Sequence, residues 1–215
     1  MDIAALEPKA ELQPTFGERR VVLYDISWEA YLTILEALPQ SRGTRLTYDD
    51  GLLEIVMPLE DHEFYADNIS YFVVALVELL GLKIKTMGST TMNYPAFKKG
   101  AEPDKAFYIQ NQPLVKGRNV DLSQDPPPDL VIEVDITHTD IQKNQFYAAL
   151  RVPEFWRFNG QMWRIYQLQD GVYVEVDRSP TFASVPKEWL YEFLQQAKED
   201  EIAAIKSLRD RIVSA

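Results

Sequence analysis

The chain has 215 residues, of which 46% are hydrophobic, 26% charged and 12% aromatic, ordinary values for a globular protein with room for a substantial core. Its formal net charge of −11 argues against a nucleic-acid coat protein, and no apolar run is long enough to suggest a membrane span. Cysteine is absent, which excludes disulfides and thiolate metal sites; with only His62 and His138 a zinc cage is not expected, and oxygen ligands favour magnesium, manganese or calcium.

Residues 1–24 read as an N-terminal arm, rich in Pro and Glu at its start and without a clear period. The first residues have neither a basic start nor an apolar segment of secretory type, so a cytoplasmic location is expected. Residues 25–180 read as the main domain. Ser27 offers an N-cap to a helix carrying Trp28, Tyr31, Leu32, Leu35 and Leu38 at helical spacing, and Pro39 stops it. The stretch 45–57, RLTYDDGLLEIVM, reads as a hairpin turning at Asp49-Asp50-Gly51. A long helix is predicted from near Glu60 to Leu80, its apolar stripe formed by Ile69, Phe72, Val73, Leu76, Leu79 and Leu80, with Gly81 closing it.

Strand-like pieces follow at 83–86 and 90–94, then a loop through Lys98–Gly100 and a strand over 105–110. Residues 81–118 hold seven bases against Glu102 and Asp104, whereas residues 1–80 hold fifteen acids against five bases. This basic middle either guides a phosphate backbone or is a solvated lysine surface. A strand is predicted over 130–136, a helix over 139–150, and strands near 154–159, 162–168 and 172–176. A final helix is expected from Pro186 to the end, within a C-terminal extension, 181–215, whose amphipathic face suits a partner subunit. The pattern is α/β (α+β), with one mixed central β-sheet flanked by helices.

The strand in DPPPDLVIEVDITH carries the chemical question. Leu130, Ile132, Val134 and Ile136 share an apolar face, which puts Glu133 and Asp135 together on the other. That second face is either simply wet or built around a cation that relieves the repulsion between the carboxylates. In GAEPDKAFYIQ, Asp104 opens another strand after a proline, and if the two strands are neighbours Asp104 approaches Glu133. Two carboxylates with retained waters are enough to hold one hard divalent ion, which activates water and neutralises a phosphodiester transition state. Asp129 stands at the mouth of its strand, where a turn role is expected. His62 and Glu63 lie in the first turn of the long helix; an acid is favourable there whatever its function, and the functional reading takes Glu63 to the metal and His62 to the substrate.

EPDKAFYIQN, PPPDLVIEVDIT, KNQFYAALRVPEFWRFNG and the preceding LEIVMPLEDHEFYADNIS closely resemble, in this order, the Uma-type family of putative restriction endonucleases, within the PD-(D/E)XK nuclease superfamily. The resemblance implies a restriction-endonuclease-like core over roughly 25–180, a Mg2+ or Mn2+ cofactor, DNA as substrate and a homodimer. It implies metal ligation by Glu63, Asp104 and Glu133. The superfamily's lysine two residues after the Glu is replaced by Asp135, and Lys143 on the following helix is the expected substitute; His62, Lys105 and Tyr147 are expected to meet substrate. The reading is a metal-dependent endonuclease. Its alternatives are a non-catalytic protein of the same fold that binds nucleic acid or a protein partner, and a hydrolase of small phosphoesters.

Overall fold

A computed structural model of the protein describes residues 18–39, 41–137 and 139–213. Residues 1–17 of the expected arm and His138 lie outside the described residues. The arm assignment fails over its last part: Glu18–Leu23 form strand β1, which pairs antiparallel with a later strand along its whole length. Helix α1 (Trp28–Ala37) follows, capped as expected by Ser27, whose hydroxyl accepts the Ala30 amide at 3.1 Å. Strands β2 (Arg45–Asp49) and β3 (Leu52–Pro58) form the predicted hairpin. Its turn places Asp50 and Gly51 at φ values of 38° and 105°, the left-handed backbone that this tight hairpin requires and that glycine adopts without cost.

Helix α2 (Glu60–Leu79) leads to β4 (Lys85–Thr86) and β5 (Met92–Tyr94). The segment expected to loop through Lys98–Gly100 instead enters β6 (Lys99–Ala101), because β2 and β5 pair with it on either side. After β7 (Lys105–Tyr108) comes a single helical turn, α3 (Gln112–Val115). The strand of interest, β8, spans Leu130–Val134. Helix α4 (Lys143–Ala149) joins it to β9 (Glu154–Phe158), which lies parallel to β8 as a helical crossover allows. Strands β10 (Trp163–Gln169) and β11 (Val172–Val176) extend the sheet antiparallel.

The strands form two sheets where the sequence suggested one. The six-stranded sheet, in the order β11-β10-β9-β8-β7-β4, is the expected mixed central sheet. The second is antiparallel, in the order β1-β3-β2-β6-β5. Leu130, Ile132 and Val134 face a core shared with Phe72 and Leu76 of α2 and with Trp156 and Trp163. The opposite face, with Ala106, Val131 and Phe155, packs on Phe146 and Tyr147 of α4 and on Met92 and Ala101 of the second sheet. Helix α1 packs on the second sheet through Tyr31, Leu46, Tyr48 and Leu53. The central sheet is therefore covered on both sides.

The expected single C-terminal helix is two, α5 (Glu188–Ala197) and α6 (Glu201–Val213). Asp200 separates them by accepting the Ala203 amide at 2.9 Å, a side-chain cap that starts α6 afresh. Leu190, Phe193, Ala204 and Leu208 of these helices are buried in the core beside α2, so this face is spent within the chain. Among the described residues no helix is long and apolar enough to cross a membrane.

Gly100 joins α1 to the second sheet by close approach. A Cβ there would overlap the Tyr31 hydroxyl and lie 2.7 Å from Asn93 Oδ1, the acceptor of the Tyr31 hydrogen bond. Gly100→Ala is expected to cost about 1–3 kcal/mol of stability, read from the urea midpoint. An unchanged midpoint would contradict this packing.

Candidate active site

Lys105 pairs with Ile132 across β7 and β8, so Asp104, one residue earlier, stands opposite Glu133. Alternation sends both carboxylates to the face that also carries Ala106 and Val131. This face is not wet. Helix α4 and the second sheet cover it, and Asp104 and Glu133 are each only 3% exposed. Together with Glu18, Arg20, Arg45, His62, Glu102 and Lys143 they line one cavity of about 10 Å³, room for about one water molecule.

Each oxygen of the two carboxylates has a donor. Asp104 Oδ1 accepts from Arg45, while Oδ2 accepts the Val134 amide at 2.7 Å and lies 3.2 Å from His62 Nε2. Glu133 Oε2 accepts from Lys143 Nζ at 2.7 Å, and Oε1 accepts from the Tyr147 hydroxyl. Lys143 also lies 3.0 Å from Asp135 Oδ1, and Arg157 Nε donates to Asp135 Oδ2 at 3.0 Å. Lys143 opens α4, whose start sits beside the end of β8; the β8–α4 connection thus puts an ammonium where the chain places an acid, Asp135, on the strand side.

The electrostatics separate the two carboxyls. Burial pushes Asp104 up, but the His62 hydrogen bond and the charges of His62, Arg45 and Lys143 outweigh it and hold the group well below the usual carboxylate range. Burial pushes Glu133 up to about 7; Lys143 opposes this, and the neighbouring Asp104 and Asp135 add to it. Burial disfavours the charged form of Lys143, yet Asp135, Glu133 and Asp104 together raise its pKa. His62 is likewise raised, because Asp104 outweighs the effect of burial.

Of the residues singled out by sequence, the fold brings Asp104, Glu133, Lys143, Tyr147 and His62 together. Tyr147 is buried, and its hydroxyl donates to Glu133. Glu63 does not line the carboxylate cavity; its half-exposed side chain accepts from Arg45 Nη2 at 2.8 Å, and Arg45 is what connects it to Asp104. Lys105 lies on the opposite face of the sheet, where it donates to Asp67 of α2 at 2.6 Å, because adjacent strand residues alternate. Asp129 has the expected turn role, accepting the Ile109 and Asn111 amides at 2.7 and 2.9 Å. Of the seven bases of the basic middle, Lys85, Lys99, Lys105 and Arg118 bind carbonyls or acids of the fold itself, while Lys83, Lys98 and Lys116 are exposed.

Sequence reasoning missed Arg45 and Glu54. Arg45 has its partners 18 and 59 residues away, with no local mark. Glu54 is wholly buried; it accepts from Arg20, from the Thr139 hydroxyl at 2.9 Å and from the Asp140 and Ile141 amides at 2.6 and 2.8 Å, fixing the connection between β8 and α4. Its signal was available, since Glu54 in LLEIVM is an acid in an apolar strand just as Glu133 is in LVIEV.

Asp104 and Glu133 carry the kind of oxygens that a hard divalent cation prefers and stand opposite each other across paired strands. Among the described residues no group of three or more acids or histidines is placed to hold a metal. The profile of a family described as Uma2, putative restriction endonuclease, matches residues 28–193. No curated protein matches the chain.

Removing the Lys143 ammonium would leave Glu133 without a cation in the interior, while Asp135 keeps Arg157. Lys143→Met is expected to destabilise the fold by about 3–5 kcal/mol in urea unfolding, with most of the loss recovered when Glu133→Gln is added. A loss below about 1 kcal/mol would mean that the ion pair is solvated.

Proposed function

The chain belongs to the Uma2 family of putative restriction endonucleases, and on that footing we propose that it is a divalent-metal-dependent nuclease hydrolysing phosphodiester bonds of DNA. The observation that supports this most is the convergence of Asp104 and Glu133 on one buried cavity with the Lys143 ammonium on Glu133.

Asp104 and Glu133 are the residues that would hold Mg2+ or Mn2+, and the ion, when bound, supplies an acidified water and positive charge against the phosphate. The protein's own groups prepare the site. The Val134 amide and His62 fix the Asp104 carboxylate, and Tyr147 fixes Glu133 through its second oxygen. Lys143 presents a permanent positive charge beside Glu133, the task that the resemblance gives to a lysine on the strand itself. In this reading Lys143 steadies the attacking water or a phosphate oxygen. The water oxygen forms the new P–O bond and gives up a proton to solvent, the opposite ester bond breaks, and the leaving oxygen takes up a proton from solvent in exchange. Glu63 acts through Arg45 as a positioning residue.

A second reading, a non-catalytic protein of the same fold, is favoured by one observation: the oxygens of Asp104 and Glu133 are already satisfied by internal donors. Cleavage of plasmid DNA decides between the two. The purified protein is expected to cut with millimolar Mg2+ or Mn2+, to stop in excess chelator, and to lose the activity in Asp104→Asn and Glu133→Gln. Cutting that persists in chelator ends the metal mechanism; no cutting together with no Mn2+ binding by calorimetry selects the second reading.

A further inference from the structure

Beside the carboxylate cavity lies a groove of about 400 Å³ lined by Arg42, Gly43, Thr44, Glu63 and the loop Ser89–Thr91. Arg45 and Glu102 line both spaces. The guanidinium of Arg45 reaches from Glu63 on the groove side to Asp104 on the cavity side, so it stands between the groove and the carboxylates and occupies an oxygen that a dication would need. It is a competitor cation built into the chain.

The groove also has the chemistry of a phosphate site. Arg42 and Arg45 line it beside Thr44 and Ser89, with Glu63 and Glu102 as their present counter-charges; the Thr90 and Thr91 hydroxyls donate to the Met87 carbonyl and to Glu102, and Gly43 lets a ligand approach the backbone. Arg42 binds Glu102 through Nη2, while its buried Nε has no partner among the described residues. A phosphate is a second bidentate acceptor for a guanidinium already held between two carboxylates, so Arg45 can pass from Asp104 to phosphate without losing its charge pairing.

Resting on the nuclease reading above, we propose that this groove is the phosphate subsite and that Arg45 is exchanged between Asp104 and the arriving phosphate. When the groove is empty, Arg45 neutralises Asp104 and closes the cavity. When a phosphodiester enters, Arg45 moves to it and Asp104 is released to the dication. Phosphate and metal then bind cooperatively, and by linkage each strengthens the other by the same factor.

The test is Mn2+ affinity, measured by calorimetry on the full chain in chloride and in sulfate of matched ionic strength, with sulfate standing for phosphate. Wild type is expected to bind Mn2+ more tightly in sulfate. Arg45→Gln is expected to bind Mn2+ about tenfold more tightly than wild type already in chloride and to show no response to sulfate. Arg45→Lys, which keeps one cationic contact, falls between them and serves if the glutamine variant does not fold. Mn2+ binding that is unchanged or weaker in both variants, or a sulfate response that survives in them, overturns the role of Arg45 and leaves the nuclease reading standing. Absence of Mn2+ binding in wild type and variants alike removes the metal reading and this proposal with it.

Discussion

The carboxylates of Glu18, Glu54, Glu102, Asp104, Glu133 and Asp135 are all withdrawn from water in the layer where the two sheets meet. Burying an ionised carboxylate costs several kcal/mol even after relaxation, so each one constrains what surrounds it. Arg20 serves Glu18 and Glu54, Arg42 serves Glu102, Arg45 serves Asp104, and Lys143 serves Glu133 and Asp135. The remaining oxygens take main-chain amides and hydroxyls. Replacing Arg42 or Lys143 by a neutral group leaves Glu102 or Glu133 without a paired cation, whereas Asp104 would keep His62 if Arg45 were lost.

This constraint explains why the second sheet is part of the site and not an ornament on it. Arg45 is carried by β2, yet the buried acid that it neutralises, Asp104, leads into β7 of the central sheet. Glu54 reverses the arrangement. It sits on β3 and holds the connection that leads from β8 into α4, and that connection sets where Lys143 begins its helix. The geometry around Glu133 is thus determined from both sheets. The same interlocking leaves a cavity of only about 10 Å³, so any ion or phosphate reaching Asp104 must take the place of a group already there.

Much of the local structure was legible in the residues. The Ser27 cap, the Asp50-Gly51 turn and the alternation of β8 each depend on contacts within a few positions, which is where sequence patterns act. The C-terminal break was legible too, but only as a capping residue, Asp200, inside a run whose helical period continues across it. Lys143 was singled out through the family resemblance, as a base on the helix after the strand of Glu133. Tyr147 was placed in the site, but its hydrogen bond to Glu133 was not foreseen. Glu63 is held toward a groove by Arg45, a contact that no local pattern marks, whereas the far-side orientation of Lys105 follows from strand alternation and was legible.

By itself, then, the sequence determined most of the elements, the sided character of β8 and the presence of an acid on each of two separate strand segments, because propensity, capping and period-two alternation are properties of neighbouring residues; that the two strands pair came from the fold. Tertiary structure alone decided that the second face would be covered, that Arg45 would close on Asp104 from 59 positions away, and that Glu54 would anchor the start of α4. Those outcomes follow from matching buried charges across two sheets. A charge pair formed through space leaves no period along the chain by which its partners can be found.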